Sequence, residues 1–421
     1  MKNNRTFLEK LLDGAEVEWK PLGDVCNFQN GFAFKSSLFK DNGAPIVRIT
    51  NIDGKEVNLS DVKYFLLDDY NTDMTPYKVH KGDILIAMSG ATTGKIGFYN
   101  YEHPSYLNQR VGKFLPNTNI LNNRYLYHYL LSKVEDIYII SGGGAQPNLS
   151  SNRLMSEVLI PIPPLSVQTE IVKILDALTA LTSELTSELT SELILRQKQY
   201  EYYREKLLSE EELEKVGGEW KNLKDILINL RTGLNPRNNF KLNTDGAENY
   251  YITVRELDSV NIKITDKTDK ISNQAREIID KRSKLNIGDI LFSGTGTIGK
   301  TAFISELPRN WNIKEGVYAL TVNQEIIKPM YLLRLLQSEI TKKQINNFVM
   351  GSTVKSISMA DLKKVKILIP SLDEQQCIVS ILDKFETLTN SITEGLPLAI
   401  EQSQKRYEYY RELLLNFPGR E

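Results

Sequence analysis

The chain has 421 residues, with 52 Lys and Arg against 53 Asp and Glu and a formal net charge of −1. That length has room for about two to three domains, and 41% hydrophobic with 25% charged residues excludes wholesale disorder. No run approaches the ~20 apolar residues of a membrane helix, and MKNNRTFLEK at the start has none of the pattern of a secretory signal. A cytoplasmic protein with no membrane partner is therefore expected. Cys26 and Cys377 are too few for a disulfide framework or a zinc site, and His80, His103 and His128 do not suggest a histidine metal centre. Neither a metal nor a cofactor is expected.

In chain order, a segment 1–16 leads into Glu18-Trp19-Lys20-Pro21-Leu22 and a first globular block, 17–164. Short β-branched runs at Pro45–Ile49 and Ile84–Met88 read as strands, the second entered through a Gly82-Asp83 turn. A helix is predicted over Arg124–Ser132, and the prolines at 161, 163 and 164 then stop the block. The mixture is α+β.

Next comes a helical spacer, 165–216, with apolar residues at 171, 174, 178, 181, 185, 189 and 193. A lone helix of ~45 residues would extend about 65 Å with an apolar stripe in water, so a partner helix is required. Thr182-Ser183-Glu184-Leu185 belongs to a tetrapeptide run.

The chain then repeats itself. Glu219-Trp220-Lys221-Asn222-Leu223 opens a second block, 217–370, in which Tyr250–Val254 and Ile290–Ser293 read as strands after the pattern of the first. Gly288-Asp289-Ile290-Leu291 repeats the first GDIL turn, Met330–Ser338 repeats the helix, and Ile369-Pro370 repeats the stop. A second spacer, 371–417, has apolar residues at 378, 381, 385, 388, 392, 396 and 400, the same steps as the first. Tyr200–Glu205 returns unchanged as Tyr407–Glu412. Offsets of 201 to 207 residues preserve the order, which identifies a genuine internal repeat. Two such stripes suit an antiparallel pair in a pseudo-two-fold arrangement. Gly395-Leu396-Pro397 predicts a break or kink in the second helix.

The near-zero net charge conceals a partition. Residues 17–164 have 14 basic and 14 acidic side chains, and residues 221–370 have 24 basic and 15 acidic. Residues 165–220 have 6 against 12, and residues 371–421 have 5 against 9. Acidic helices thus offset a neutral and a basic block, and the second block is the better phosphate binder.

These features resemble the specificity (S) subunits of type I restriction–modification systems. The resemblance rests on Asn30–Lys35 with Arg48-Ile49, the two GDIL turns, Pro163–Gln168, Gly395–Pro397, the tetrapeptide run and the two Tyr-Glu-Tyr-Tyr-Arg-Glu segments. It implies two similar target-recognition domains separated by two long antiparallel coiled-coil helices. It also implies a non-catalytic subunit that binds double-stranded DNA, docks two methyltransferase (modification) subunits, and is joined by restriction/motor subunits in the full complex. Two non-identical domains suit a bipartite asymmetric site, each reading one half. Four helical residues advance ~6 Å with a net turn of ~40°, close to the ~35° of one base pair. Removing one tetrapeptide should therefore change the tolerated spacer by about one base pair; a simple low-complexity helix extension is the plainer alternative.

Gly294-Thr295-Gly296-Thr297-Ile298-Gly299-Lys300-Thr301 satisfies the Walker A pattern, with an apolar run and Asp373-Glu374 as a possible Walker B. Against an NTPase stand the first-copy loop Gly90–Ile96, which lacks the spacing, and the prolines at 308 and 370. Asn235-Pro236-Arg237-Asn238 comes closest to a methyltransferase motif but lacks its second proline and aromatic residue. A non-DNA coiled-coil scaffold spacing two protein-binding modules remains as an alternative, with the P-loop NTPase third.

DNA contact calls for Arg, Lys, Asn, Gln, Ser and Thr in loops. Candidates in the first block are Asn30, Lys35, Arg48, Asn51, Ser89, Thr92, Thr93, Lys95, Gln109 and Arg110. In the second they are Arg231, Thr232, Arg237, Asn238, Asn239, Arg255, Thr295, Thr297, Lys300 and Lys314. Arg48 and Arg255 are expected at matching strand ends, and Phe32 and Phe34 in the core.

Overall fold

A computed structural model describes residues 6–142, 147–237, 239–308, 310–351, 353–390 and 395–417. The chain divides into two compact units, one formed by the sequence up to 188 together with 400 onward, the other by 189–399. Each unit therefore combines one globular block, the start of its own following helix and the end of the other repeat's helix.

In the first unit an antiparallel four-stranded sheet has the order Cys26–Asn30, Val111–Pro116, Ile84–Ala87, Ile96–Phe98. Ile84, Leu85, Ile86 and Ala87 are all buried, so this strand is apolar on both faces rather than alternating. A second sheet places Ala44–Val47 between Lys63–Phe65 and Ser105–Leu107, with Lys78–Val79 at the edge. The second unit repeats the first sheet as Leu227–Thr232, Val317–Val322, Ile290–Ser293 and Thr301–Phe303. Its second sheet is reduced to Lys270–Ile271, Asn249–Ile252 and Trp311–Ile313.

The repeated motifs have structural roles that differ little between units. Gly82 and Gly288 have φ of +96° and +87°, conformations that favour glycine. The following aspartates close the turn, Asp83 Oδ2 accepting from His80 N at 2.8 Å and Asp289 Oδ2 from Asn286 N at 2.7 Å. Each aspartate also meets a cation, Lys113 at 3.3 Å in the first unit and Arg231 in the second. The glutamine of Pro163–Gln168 is fully buried. Gln168 Oε1 accepts from Asn122 N, while its amide donates to the carbonyls of Ile120 and Pro163, all at 2.8 Å. Gln375 makes the same three contacts with Lys328 N, Ile326 O and Pro370 O, at 2.8, 3.1 and 2.9 Å. These side chains fasten the base of each long helix to the turn before the domain helix, Asn123–Ser132 or Pro329–Gln337.

A polar joint then binds the domain helix to the spacer. His128, buried on Asn123–Ser132, places Nε2 2.7 Å from Asp176 Oδ1, and Arg124 also donates to that oxygen at 2.5 Å. Burial pushes the His128 pKa from 6.5 down to about 4, its hydrogen bond to the Asp176 carboxylate only partly opposing the shift. The corresponding residue of the second unit is Arg334, fully buried and donating to Asp383 at 2.8 Å, to Glu386, and to the Tyr200 hydroxyl at 3.2 Å. Burial opposes its charge, but the hydrogen bond and field of Glu386 hold its pKa above the usual arginine value.

The repeated tyrosine segments dock here. Tyr407 Oη lies 3.1 Å from Thr179 Oγ1, and the Arg411 charge acts on His128, whose partner Asp176 is nearer the helix start, so the Tyr407 segment runs antiparallel to the start of the first spacer. Tyr203 stacks on Phe385 in the second, with ring centroids 5.5 Å apart.

The first spacer is one continuous helix, Leu165–Leu207. The second is two, Leu372–Asn390 and Leu396–Leu415, with a bend at Gly395 and Pro397 in the first turn of the new helix, where its missing N–H costs nothing. Glu394 and position 392 lie outside the described residues. The apolar stripe departs from expectation in mid-helix. Leu181 and Leu185 are 61% and 38% exposed, whereas the neighbouring Thr182 and Thr186 are half-buried. Leu178 before them and Leu189 and Leu193 after them are half-buried, so the stripe leaves the contact only around Leu181 and Leu185. In the second spacer Ile381 and Leu388 are likewise exposed, and Leu382 and Thr389 are buried in their stead.

Candidate nucleic-acid interface

The first unit gathers five loops at one sheet edge through backbone contacts. Gly31 lies so close to Asn108 that a Cβ would sit 2.0 Å from its carbonyl oxygen. Asn108 N donates to Val47 O at 3.0 Å, Met88 N to Arg110 O at 2.8 Å, and Leu149 N to Met88 O at 2.7 Å. Gly90 N reaches Pro147 O at 3.1 Å, and Asn30 Nδ2 lies 3.4 Å from Ser151 Oγ.

The second unit repeats the scheme. A Cβ on Gly233 would lie 1.8 Å from Ile313 O. Lys314 N donates to Ile252 O at 2.8 Å, Gly294 N to Gly316 O at 2.8 Å, Ile357 N to Gly294 O at 2.9 Å, and Gly296 N to Lys355 O at 2.8 Å. These bonds pair Asn108 with Lys314, Arg110 with Gly316, and Pro147-Asn148 with Lys355-Ser356. They also correct one expectation: the residue after the matched strand is Arg48 in one unit and Thr253 in the other, so Arg48 and Arg255 are not equivalent. Arg48 N bonds Asn51 Oδ1 as Thr253 N bonds Glu256 Oε2, at 3.0 and 2.8 Å.

The predicted side chains divide by what they already touch. Asn30, Lys35, Gln109 and Arg110 are exposed, and Lys95 is half-buried over the Gly54 turn. Lys35, Lys95 and Arg110 form no ion pair among the described residues. Asn51 is buried, its amide donating to Asn58 O and Asp61 O at 2.9 Å each, so it shapes the loop rather than projecting from it. Thr93 is buried and bonded to Gly90 O at 2.7 Å. Arg48 Nε, Ser89 Oγ and Thr92 Oγ1 are shielded from solvent and have no partner.

In the second unit Thr295, Thr297, Lys300 and Lys314 are exposed at the edge, as are Arg237 and Asn239 on a neighbouring loop. Asn238 lies outside the described residues. Thr232 is buried, bonding Val317 O and Gly316 N at 3.1 and 3.0 Å. Arg231 does not reach the edge: its guanidinium is spent on Asp289 and on Thr321 Oγ1 at 2.7 Å. Arg255 is exposed but pairs with Asp269 at 2.7 Å.

Asn108, Asn148 and Lys355, absent from the sequence candidates, also stand at these edges. Only the two-copy offset applied to the loops could have signalled Asn148 and Lys355, because packing across roughly 60 residues of chain brings each to its hairpin. Phe32 and Phe34 join an aromatic cluster with Phe65 and Tyr70 and are not part of the edge.

The Walker-like segment is the turn of an antiparallel hairpin between Ile290–Ser293 and Thr301–Phe303. A strand follows Lys300 where a phosphate loop requires a helix. Thr301 is buried, donating to Ser259 O at 2.7 Å and accepting from Gln337 Nε2 at 2.9 Å, so its hydroxyl is committed. The supposed Walker B strand, Lys366–Ile369, pairs antiparallel with Glu219–Asn222. Among the described residues no helix is long and apolar enough to cross a membrane, and no cluster of three metal-ligating side chains occurs.

Comparison with known proteins gives the same two-copy pattern. The family model for the type I restriction modification DNA specificity domain matches residues 15–194 and again 216–402. A Haemophilus influenzae chain described as a type I restriction enzyme specificity subunit is 44% identical, the alignment covering 99% of this chain and 100% of that one. The Escherichia coli EcoR124I/EcoR124II specificity subunit is 31% identical over 98% and 97% of the two chains. The fold is shared with the HsdS subunit of Thermoanaerobacter tengcongensis, with a TM-score of 0.54 at 17% identity over 95% of each chain. A chain from a type I R-M system solved for its complex assembly and conformational transition gives a TM-score of 0.66 at 17% identity, covering 94% of this chain and 97% of that one.

Proposed function

The chain belongs to the specificity-subunit family of type I restriction–modification systems, and from that premise we propose that each globular block reads one half of a bipartite, asymmetric DNA site. Its role is DNA sequence recognition, and it is not itself the catalyst. The observation that carries the two-half reading is the pair of loop edges built on one backbone scheme but lined by different side chains. Like scaffolds with unlike surfaces read unlike sequences.

The recognition blocks are 17–164 and 217–370. Within them the contacts come from Asn30, Lys35, Arg48, Lys95, Gln109 and Arg110, and from Arg237, Asn239, Thr295, Thr297, Lys300 and Lys314. The acidic spacers repel phosphate and dock two methyltransferase subunits, which the restriction/motor subunits join in a cytoplasmic complex. The Thr-Ser-Glu-Leu run sets the spacing, so deleting one copy shortens or lengthens the tolerated spacer by about one base pair.

The test is binding of the chain with its methyltransferase partner to duplex DNA across a salt series. Recognition predicts a target-dependent affinity that falls linearly as log K against log salt. A partnered chain that binds all duplexes alike, or none, leaves only the protein-spacing scaffold.

A further inference from the structure

The two loop edges differ at several matched positions. After the matched strand stands Arg48 in the first unit, its backbone fixed by Asn51 and its Nε unpartnered; the second has Thr253, buried and bonded to Glu256 at 2.8 Å. In the next turn Arg110 is exposed, whereas its counterpart Gly316 has φ +90° and would bring a Cβ within 2.8 Å of Thr295 Oγ1. The first edge has Asn108 and Asn148 where the second has Lys314 and Ser356, and Pro147 where the second has Lys355.

Arginine and asparagine present planar, fixed sets of hydrogen-bonding groups that match guanine and adenine edges. Lysine is a flexible point charge suited to phosphate. We infer that Arg48 and Arg110 read base edges directly in the first half-site, with Arg110 able to take guanine bidentately, whereas Lys314 and Lys355 of the second unit hold the phosphate backbone and leave base reading in the second half-site to other side chains of that edge. The charges agree: residues 17–164 have 14 basic against 14 acidic side chains, and residues 221–370 have 24 against 15. This division of labour rests on the DNA-recognition reading and adds to it which residues discriminate.

The experiment uses the full chain assembled with its methyltransferase partner. Once the target is mapped, each base pair is replaced in turn, and binding is measured by competition at several salt concentrations. Arg48→Ala and Arg110→Ala should weaken target binding by about 5- to 150-fold and erase preference at base pairs within one and the same half-site. Arg110→Lys, which keeps the charge and loses the fork, should not restore that preference. Lys314→Ala and Lys355→Ala should weaken every duplex by a common factor, each lowering the salt slope by about 0.9 with base preferences intact. All four side chains lie outside the ion pairs of the described residues, and unchanged unfolding midpoints confirm intact folds. Arginine variants that weaken all duplexes equally, or lysine variants that relax a base pair, overturn the inference. A wild-type complex with no preference for its mapped target would instead overturn the DNA-recognition reading beneath it.

Discussion

Replacing Gln168 with leucine keeps the side-chain volume nearly constant and removes only its hydrogen bonds. Three buried groups then lose their partner, Asn122 N, Ile120 O and Pro163 O. An unsatisfied buried group costs about 1–3 kcal/mol, and the lower part of the summed range, roughly 3–5 kcal/mol, is expected because the loop relaxes somewhat. The damage extends to the helix that follows, since the Asn122 side chain caps it by accepting from Arg124 N and Tyr125 N at 2.9 and 3.2 Å. For a unit of this size, about 2–4 °C per kcal/mol gives a loss of roughly 6–20 °C in the unfolding midpoint of the first unit. Calorimetry reads the midpoint, and hydrogen exchange reads the Asn122 amide, which should lose protection. Gln375→Leu should do the same to Lys328 in the second unit. A Gln168→Leu protein that melts within a degree of wild type with the Asn122 amide still protected would refute the fastening role.

The remaining tests probe the joints and the decoy loop. Because the folded His128 titrates near 4 and the unfolded residue near 6.5, the first unit should hold its full stability above about pH 6.5 and lose up to about 3 kcal/mol as pH falls toward 4. Urea midpoints across that range check this, and a His128→Gln protein with an unchanged slope would contradict it. Arg334→Met should cost about 1–3 kcal/mol by removing the donor shared by Asp383, Glu386 and Tyr200, and less when Asp383→Asn and Glu386→Gln accompany it; equal costs in both backgrounds would deny the coupling. The isolated chain should bind no ATP, which titration with a fluorescent nucleotide measures, whereas ATP binding that is lost in Lys300→Ala would revive a phosphate-loop role.

Much of the fold is legible in the sequence because it depends on short-range rules. The GDIL turns need a glycine at positive φ and an aspartate three residues past the amide it caps, and both appear as adjacent letters. Proline at 397 announces the start of a new helix for an equally local reason, its absent N–H. The seam of the spacer is less legible: Leu181 and Leu185 carry the apolar signal, yet the half-buried neighbours are Thr182 and Thr186, because the facing segment and not the apolar periodicity decides which side of the helix is covered. The loop edges are least legible. Nothing local distinguishes Arg48, which forms no ion pair among the described residues, from Arg231, which is bound to Asp289 and Thr321. Asn51 has the composition of a DNA contact but is committed to Asn58 O and Asp61 O. Long-range backbone pairing decides such assignments, and only the repeat offset offers a partial guide.

The most direct test of the central claim is the methylome of a host carrying the partner methyltransferase, compared with and without this gene. The account predicts one gene-dependent methylated motif made of two different half-sites separated by a fixed spacer. A methylome that does not change, or a gene-dependent motif that is a single uninterrupted sequence, would contradict it.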